Sequence, residues 1–173
     1  MILTTISSDK IPNAAPMGLH RKNRRLFLRI YHSKTLNNIQ HYPIVGVNIV
    51  DDPVLFVRSA LSVIEASGFD YVDHFPVLKE ALGWILCDCI HIKKDENVCM
   101  VELSPIKGKI IKRIIKPVNR GFNAVIEAAI HATRYVSLKE QRYLDCIEYY
   151  NTIVNKCGGK QEKEAMKLIH KLI

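Results

Sequence analysis

Apolar and polar positions divide the chain into an early part with the short period of strands and a late part with the longer period of helices. Apolar stretches at residues 1–7 and 12–18 flank Ser8-Asp9-Lys10, a set of turn-forming residues, and predict a first hairpin. The same pattern predicts further strands at residues 26–31, 44–50, 84–91, 98–103 and 109–115, a turn at 95–97 and a loose connection at 67–80.

Helix signals are clearest after Pro117. Earlier, Ser33 begins a predicted helix over about 34–41, and Asp52 with Pro53 begins one over about 53–66. The helical spacing of the last segment predicts three helices, at about 120–135, 137–156 and 160–172. The fold class is therefore mainly β with α, with a β-barrel core in residues 1–117 followed by a three-helix subdomain in residues 118–173.

Composition narrows the class of protein. With 173 residues, 48% apolar and 24% charged, the sequence is typical of a soluble globular protein. No apolar run approaches the roughly 18 residues of a membrane span, and the N-terminus lacks a signal peptide, so we expect a cytoplasmic protein without a membrane partner. Five cysteines without framework spacing indicate reduced thiols. A net charge of +8 suits an acidic partner, either nucleic acid or a phosphorylated small molecule.

A candidate phosphate site lies between a predicted strand and a predicted helix. Arg29 stands near the end of the strand, and Ser33, Lys34 and Thr35 stand where the helix begins. The free N–H groups of a helix N-terminus favour an anion, and an arginine can hold two phosphate oxygens. The alternative, a serine N-cap beside two solvated cations, stays open at this point.

The segment from Asn13 to Gly18 contains small side chains, a proline and a glycine. Small residues let a ligand approach the backbone, and proline is confined to edge strands of a sheet. The segment is therefore either an edge strand or a strand against which a flat ligand lies.

The order of these segments resembles the FMN-binding split-barrel superfamily of pyridoxamine-phosphate oxidases and flavin reductases. Within it, the chain is similar to a family of uncharacterised archaeal flavoproteins. The residues that carry the resemblance are Thr4-Thr5, Asn13–Gly18, Ser33–Thr35, Val47–Pro53, Arg120-Gly121, Val125–Ala128 and His131–Arg134.

The resemblance implies an FMN cofactor and an oxidoreductase acting on an unknown small molecule. The flavin ring would lie against the strand of Asn13, Ala14, Ala15, Pro16, Met17 and Gly18. The phosphate would be held by Arg29, Ser33, Lys34 and Thr35, and Asn48 would point toward the ring or the ribityl chain. It also implies a homodimer with the flavin near the interface.

Glu127, His131 and Arg134 fall along one stripe of the first C-terminal helix. The interpretation that we favour is a solvated polar face. The alternative is that His131 and Arg134 face the flavin pocket, His131 as a candidate catalytic proton donor and Arg134 as an anion anchor.

Two further clusters have structural explanations. Cys87, Cys89 and His91 alternate along one strand, and a two-residue turn would place Cys99 opposite Ile92 on the other face, so we expect buried thiols and no metal site. The basic stretch at 107–116 lacks aromatic residues for base stacking, which disfavours nucleic acid. Two alternatives to the oxidoreductase remain: a non-catalytic flavin carrier and a basic nucleic-acid-binding module.

Overall fold

The structure of the chain is a computed structural model that describes residues 1–94 and 98–173, with the backbone alone for His91 and Lys94. It contains two compact units. The sheet unit comprises residues 1–51 and 64–113, and the helical unit comprises residues 52–63 and 114–173. The helical unit thus includes residues 52–63, which the predicted boundary at residue 117 assigned to the other domain. The domain boundary itself stays a prediction.

The described elements follow one another along the chain. The strands are β1 Ile2–Ile6, β2 Pro12–Pro16, β3 Leu19–Lys22, β4 Arg25–Tyr31, β5 Ile44–Ile49, β6 Phe69–Val72, β7 Phe75–Leu78, β8 Gly83–Lys94 and β9 Val98–Ile110. The helices are α1 Lys34–His41, α2 Pro53–Leu61, α3 Arg120–Leu138, α4 Gln141–Cys157 and α5 Lys160–Leu172, with a short 3-10 turn at Ala66–Gly68. None of these helices is long and apolar enough to cross a membrane.

Seven strands form one antiparallel sheet in the order β2-β1-β5-β8-β9-β4-β3, and β6 pairs with β7 in a separate hairpin. Inward-facing side chains of β4, β5 and β9 form the core of the sheet unit, and α1 adds Leu36 and Ile39 to it. The completely buried members include Leu28, Ile30, Val45 and Val101. Helix α1 therefore has a fixed position because its apolar side belongs to the sheet core.

Most of the predicted elements are confirmed. The first hairpin pairs Ile2 with Pro16 and Ile6 with Pro12, and α1 begins after the predicted N-cap Ser33. The three C-terminal helices are confirmed, although α3 continues to Leu138 and α4 begins at Gln141 instead of at about residue 137. The predicted turn at 95–97 lies outside the described residues.

Two hairpins were missed for one physical reason. Strand β3 meets β4 across Asn23 and Arg24, and the stretch predicted as a loose connection contains β6 and β7, which meet across Asp73 and His74. All four turn residues have positive φ between 49° and 66°. Two-residue hairpin turns require this conformation, and glycine is its usual sequence signal. Here non-glycine residues adopt it, so the signal was absent.

Two predicted boundaries were also wrong. The strand predicted at 109–115 does not exist, because β9 continues to Ile110 and residues 111–119 are neither helix nor strand. Helix α2 ends at Leu61 and is capped at Ser62, not at residue 66. Its N-cap, Asp52, was predicted correctly and accepts hydrogen bonds from the N–H groups of Val54 and Leu55.

Close backbone packing holds the ends of the C-terminal helices together. A Cβ atom at Gly121, in the first turn of α3, would lie 2.5 Å from the Cα atom of Gly158, which follows α4. Nearby, the buried carboxylate of Glu162 accepts hydrogen bonds from the Asn119 side chain (2.7 Å) and the Gly159 N–H (2.8 Å). These contacts fix where α3 begins, where α4 ends and where α5 begins.

Candidate functional site

The candidate site begins at the edge of the sheet. Strand β2 is the terminal strand of the described sheet, where β1 is its neighbour. Its residues, from Pro12 to Pro16, are half-buried. A terminal strand tolerates proline, and it leaves backbone N–H and C=O groups on its outer side for another molecule. Ala14 and Ala15 keep that backbone accessible, since neither side chain extends beyond Cβ.

The strand that ends at Pro16 leads into two residues with different surroundings. The Met17 N–H donates to the Met1 carbonyl oxygen at 3.3 Å, and the Met17 side chain packs against the sheet core. A Cβ atom at Gly18 would meet the His20 ring at an ordinary 3.7 Å. Among the six residues of the predicted flavin strand, Met17 therefore packs against the core. At Gly18 the surrounding protein leaves room for a Cβ atom.

The N-terminus of α1 lies beside this strand. The Asn13 amide donates to the Thr35 hydroxyl at 3.4 Å, and the Asn38 amide donates to the Thr5 hydroxyl at 2.9 Å. Thr5 is the register partner of Asn13 in the hairpin. The structure therefore brings together two segments that are some twenty residues apart in sequence and that sequence reasoning assigned to one site.

The first turn of α1 has the electrostatics of an anion site. Ser33 caps the helix by accepting the Leu36 N–H at 3.4 Å, Lys34 is exposed, and the first turn contains no acidic residue. The dipole of the helix and its free N–H groups attract negative charge to this end. Thr35 is only 3% exposed, so its hydroxyl lies inside the site and Lys34 lies at its surface.

Arg29 faces away from the core. Its neighbours along β4, Leu28 and Ile30, are completely buried, whereas Arg29 is exposed and its guanidinium lies 5.7 Å from the ring centroid of Tyr31. This is the distance of a cation–π contact. The contact of Arg29 with a phosphate stays a prediction.

Asn48 is completely buried, and protein groups surround its amide. Its nitrogen lies 3.1–3.2 Å from the Ile2 and Gly46 carbonyl oxygens and the Thr4 hydroxyl, and its oxygen accepts the Leu78 N–H at 2.8 Å. A carboxamide has two donor hydrogens and an oxygen with two lone pairs, so protein groups can use both donors and one lone pair of Asn48. The contact of Asn48 with a flavin stays a prediction.

Sequence reasoning missed the network to which Asn48 belongs. Thr4 is buried and donates to the Pro76 carbonyl oxygen at 2.7 Å, which attaches the β6–β7 hairpin to β1. A Cβ atom at Gly46 would overlap the Thr4 hydroxyl. The network thus fixes the strand next to β2. The available sequence signal was the pair Thr4-Thr5 within an otherwise apolar strand.

The thiols lie in apolar surroundings. Cys87 and Cys99 belong to the sheet core, and Cys89 packs against it. Burial, then the nearby Asp88, raises the pKa of Cys87 to about 11. Burial, Cys87 and Asp88 raise the pKa of Cys89 to about 12. Both thiols are therefore protonated at neutral pH, the unreactive form.

The register predicted for Cys99 was wrong. Cys99 pairs with Lys94, and Ile92 pairs with Val101. A register shift between Cys89 and His91 also interrupts the two-residue alternation on which a shared face depended. Among the described residues no group of three or more potential metal ligands comes together.

His131 lies in the helical unit between two tyrosine rings of α4. The ring centroids of Tyr143 and Tyr150 lie 6.0 Å and 5.8 Å from its own, and Nδ1 is buried without a hydrogen-bond partner among the described residues. Burial, then the charge of Arg134, lowers the pKa of His131, and Glu127 opposes them. The ring of His131 thus packs between two tyrosines, and its role as a proton donor stays a prediction. The predicted solvated face holds for Glu127 and Arg134, which are exposed, whereas His131 packs against α4.

Comparison with known proteins identifies the fold. The structure is similar to a styrene monooxygenase flavin reductase from Pseudomonas putida, at 11% identity and a TM-score of 0.54, covering 64% of this chain and 80% of that one. It is also similar to flavoredoxin from Methanosarcina acetivorans, at 14% identity and a TM-score of 0.54, covering 69% and 74%. The chain therefore has the flavin reductase-like fold, a split β-barrel followed by three C-terminal helices, and the predicted fold class is confirmed.

A nearer relative identifies the family. The crystal structure of an FMN-bound protein from Methanosarcina mazei matches at 41% identity and a TM-score of 0.93, covering all of this chain and 93% of that one. Models of the N-terminal and C-terminal domains of the "protein of unknown function (DUF447)" family match residues 1–112 and 119–171. The chain belongs to the DUF447 family, which confirms the resemblance seen in the sequence.

Proposed function

We propose that this chain is an FMN-binding flavoprotein and that it works as an oxidoreductase. The observation that carries the proposal is the FMN-bound relative, which is 41% identical and matches this chain over its whole length. The contact between Asn13 and Thr35 supports it, because the two segments expected at a flavin site are neighbours in this structure.

The residues at the site suit the two ends of FMN. The free edge of β2, with Ala14, Ala15 and Pro16, offers backbone groups to the polar edge of a flat ring. The N-terminus of α1, with Ser33, Lys34 and Thr35, offers N–H groups, a cation and hydroxyls to a phosphate. A phosphomonoester carries about −1.5 to −2 charge near neutral pH, which this helix end stabilises.

FMN supplies hydride or electron transfer, and the protein supplies binding and orientation. In this assignment Asn13 has a positioning role, since its amide connects the ring-binding strand to the phosphate-binding helix through Thr35. Asn48 acts indirectly, by holding β1 in place. Arg29 and Arg134 remain proposed anion ligands, and His131 remains the candidate proton donor.

The first experiment identifies the cofactor. Purified protein is expected to be yellow and to release FMN, not FAD, on denaturation, as resolved by chromatography. The variant Ala15→Leu should purify folded but colourless, because its side chain would occupy the space of the ring; the matched control Ala60→Leu on the half-buried side of α2 should retain colour. A folded Ala15→Leu protein that retains FMN would show that the ring lies elsewhere.

We also propose a homodimer with FMN near its interface. A ligand site usually encloses 70–90% of the ligand surface, whereas the free edge of a terminal strand encloses one side. A partner related by two-fold symmetry would cover the other side. Light scattering should give twice the chain mass of 19.8 kDa. A monomer that retains FMN would contradict this arrangement.

Turnover separates an enzyme from a flavin carrier. The FMN-loaded protein should oxidise a reduced nicotinamide or a reduced deazaflavin in a steady-state absorbance assay in air, where dissolved oxygen reoxidises the reduced FMN. If the flavin is reduced by none of these donors but exchanges freely with a partner flavoenzyme, the chain is a carrier.

A further inference from the structure

The outer face of the sheet carries a groove that the proposed flavin site does not use. It has a volume of about 270 Å³ and is lined by Lys22, Phe27, Lys93, Met100 and Glu102. These residues belong to β3, β4, β8 and β9, at the end of the strand order opposite to β2. None of the residues lining the groove is assigned to the flavin, although β4 also carries Arg29, a proposed ligand of the FMN phosphate.

The register of the strands arranges an apolar floor inside a ring of cations. Met100 pairs with Arg29 on one side and with Lys93 on the other. Phe27, which lies two residues before Arg29 on β4, pairs with Glu102. The next row on this face is the pair Lys22 and Arg25. Phe27 and Met100 are thus bracketed by cations at both ends.

The carboxylate in this groove is already neutralised. Glu102 lies 3.5 Å from the Arg25 guanidinium, and its side chain is 14% exposed, against 67% for Arg25. Lys22, Lys93 and Arg29 are exposed. The lining side chains therefore present a net positive charge, which favours an anionic ligand.

The floor selects a flat, apolar group for the other part of the ligand. An aromatic ring and a methionine sulfur make a soft surface for a heteroaromatic ring, and nucleobases stack on such side chains irrespective of sequence. Neighbouring strands lie about 4.8 Å apart and a strand rises about 3.3 Å per residue. Lys22 and Lys93 are three strands apart and lie in rows four residues apart, so their Cα atoms are roughly 20 Å apart. One ring fits between them, and its phosphates can reach the cation at one end of the floor.

We propose that this groove binds a nucleotide, with the base on Phe27 and Met100 and the phosphates on Lys93 at the Met100 end. A second copy of the chain is a poorer occupant, because two-fold symmetry would bring cationic faces together. Single-stranded nucleic acid is also poorer, because the groove holds one ring, whereas a strand requires successive stacking positions.

Calorimetric titration of the full-length, FMN-loaded protein with ADP tests the proposal at physiological salt. ADP should bind, and adenosine and tripolyphosphate should each bind at least tenfold more weakly, because each lacks one half of the ligand. Lys93→Glu and Phe27→Leu should each weaken ADP binding at least tenfold. The matched control Lys167→Glu, which makes the same charge change on an exposed face of α5, should change it less than twofold.

Several outcomes would overturn the proposal. If ADP does not bind, or if Lys93→Glu and Phe27→Leu both bind it normally, the groove is not its site. Equal affinity for tripolyphosphate would indicate diffuse attraction of phosphate alone. Displacement of FMN by ADP would place ADP at the flavin site, and an oligonucleotide that binds more tightly than ADP with the same sensitivity to Lys93→Glu would identify a nucleic-acid surface.

Discussion

The two units of this chain differ in the side chains that pack their interiors. In the sheet unit, buried polar side chains bond to one another and to backbone groups, and they include Thr4, Thr5, Thr35, Asn38 and Asn48. In the helical unit, small residues bring helices close together, and the buried ones include Ala124, Ala128, Ala129, Ala132 and Ala165. The first unit thus relies on a network of directed bonds among buried polar groups, whereas the second combines close contact of small residues with the bonds of Glu162 to Asn119 and Gly159.

The difference shows where a binding site can be built. Hydrogen bonds orient groups as well as holding them, and a site needs orientation. The candidate flavin strand lies next to the network of Thr4, Thr5 and Asn48, which positions β1 and through it β2. Substitutions in this network should therefore affect stability and FMN binding together, whereas those at helix contacts should affect stability.

Replacing Asn48 with leucine should have the largest effect. It leaves the buried Leu78 N–H and the acceptors of the amide without their partner, and each such group costs about 1–3 kcal/mol. We expect a loss of about 3–5 kcal/mol in the free energy of unfolding, measured in urea, and weaker FMN binding.

Asn38→Leu is the matched control, because Asn38 is also buried but the bond to Thr5 is its described side-chain contact. It should cost about 1–2 kcal/mol. Equal losses for the two variants would mean that the number of directed bonds does not determine stability in the sheet unit.

The next effect belongs to the helical unit. Gly121→Ala would place a Cβ atom 2.5 Å from the Gly158 Cα and 2.8 Å from its nitrogen, and both are backbone atoms that a rotamer change cannot move. Alanine gains up to about 1 kcal/mol in helix propensity, but overpacking costs about 1–3 kcal/mol. We therefore expect Gly121→Ala to lower the melting temperature in thermal unfolding experiments. Gly18→Ala, whose Cβ atom has ordinary space, should be nearly neutral, and a stabilised Gly121→Ala protein would contradict close packing at this contact.

The sequence predicted elements whose signals are local. Ser33 and Asp52 were recognised as helix caps because a cap needs one side chain at one position. The β3–β4 and β6–β7 turns were missed because Asn23, Arg24, Asp73 and His74 adopt a conformation that favours glycine.

The candidate site was predictable in part. The segments around Asn13 and Thr35 were assigned to one site through the order of motifs, and the structure shows their contact. The internal network of Asn48 was not predicted, because its partners come from three strands and the chain separates it from Leu78 by 30 residues. Whether a polar residue faces a ligand or closes an internal network depends on tertiary contacts that no local pattern contains.

The third prediction concerns the phosphate end of the site. Lys34→Ala together with Thr35→Ala should weaken FMN binding at least tenfold, because a hydrogen bond to a charged group contributes about 1.5–3 kcal/mol and about 1.4 kcal/mol is tenfold. Flavin fluorescence titration measures it. The single variant Lys34→Ala tests the lysine charge without a change in packing, because Lys34 is exposed whereas Thr35 is buried. Lys10→Ala, an exposed lysine in the first hairpin turn, is the control, and unchanged affinity in the double variant would remove the phosphate assignment.

The smallest effect is a pH dependence of the helical unit. The groups that face His131 are Glu127 and Arg134 from its own helix and Tyr143 and Tyr150 from α4. Burial and Arg134 hold its pKa below the ordinary value of 6.5, so the unfolded chain binds a proton more readily than the folded one. The contribution of His131 to stability is therefore complete above pH 6.5 and is lost as the pH falls toward the lowered pKa.

A comparison of urea unfolding at pH 7.5 and pH 5.5 measures this contribution. His131→Phe retains an aromatic ring between the two tyrosines and cannot be protonated, so it should lose less stability on acidification than the wild type. His170→Gln, which removes a histidine at the surface beside Glu148, controls for titration elsewhere and should not reduce the loss. If His131→Phe loses as much stability as the wild type, His131 gains a proton in the folded helices without cost. That outcome would remove the expected link between His131 and acid sensitivity, whereas the packing of its ring against Tyr143 and Tyr150 would stand.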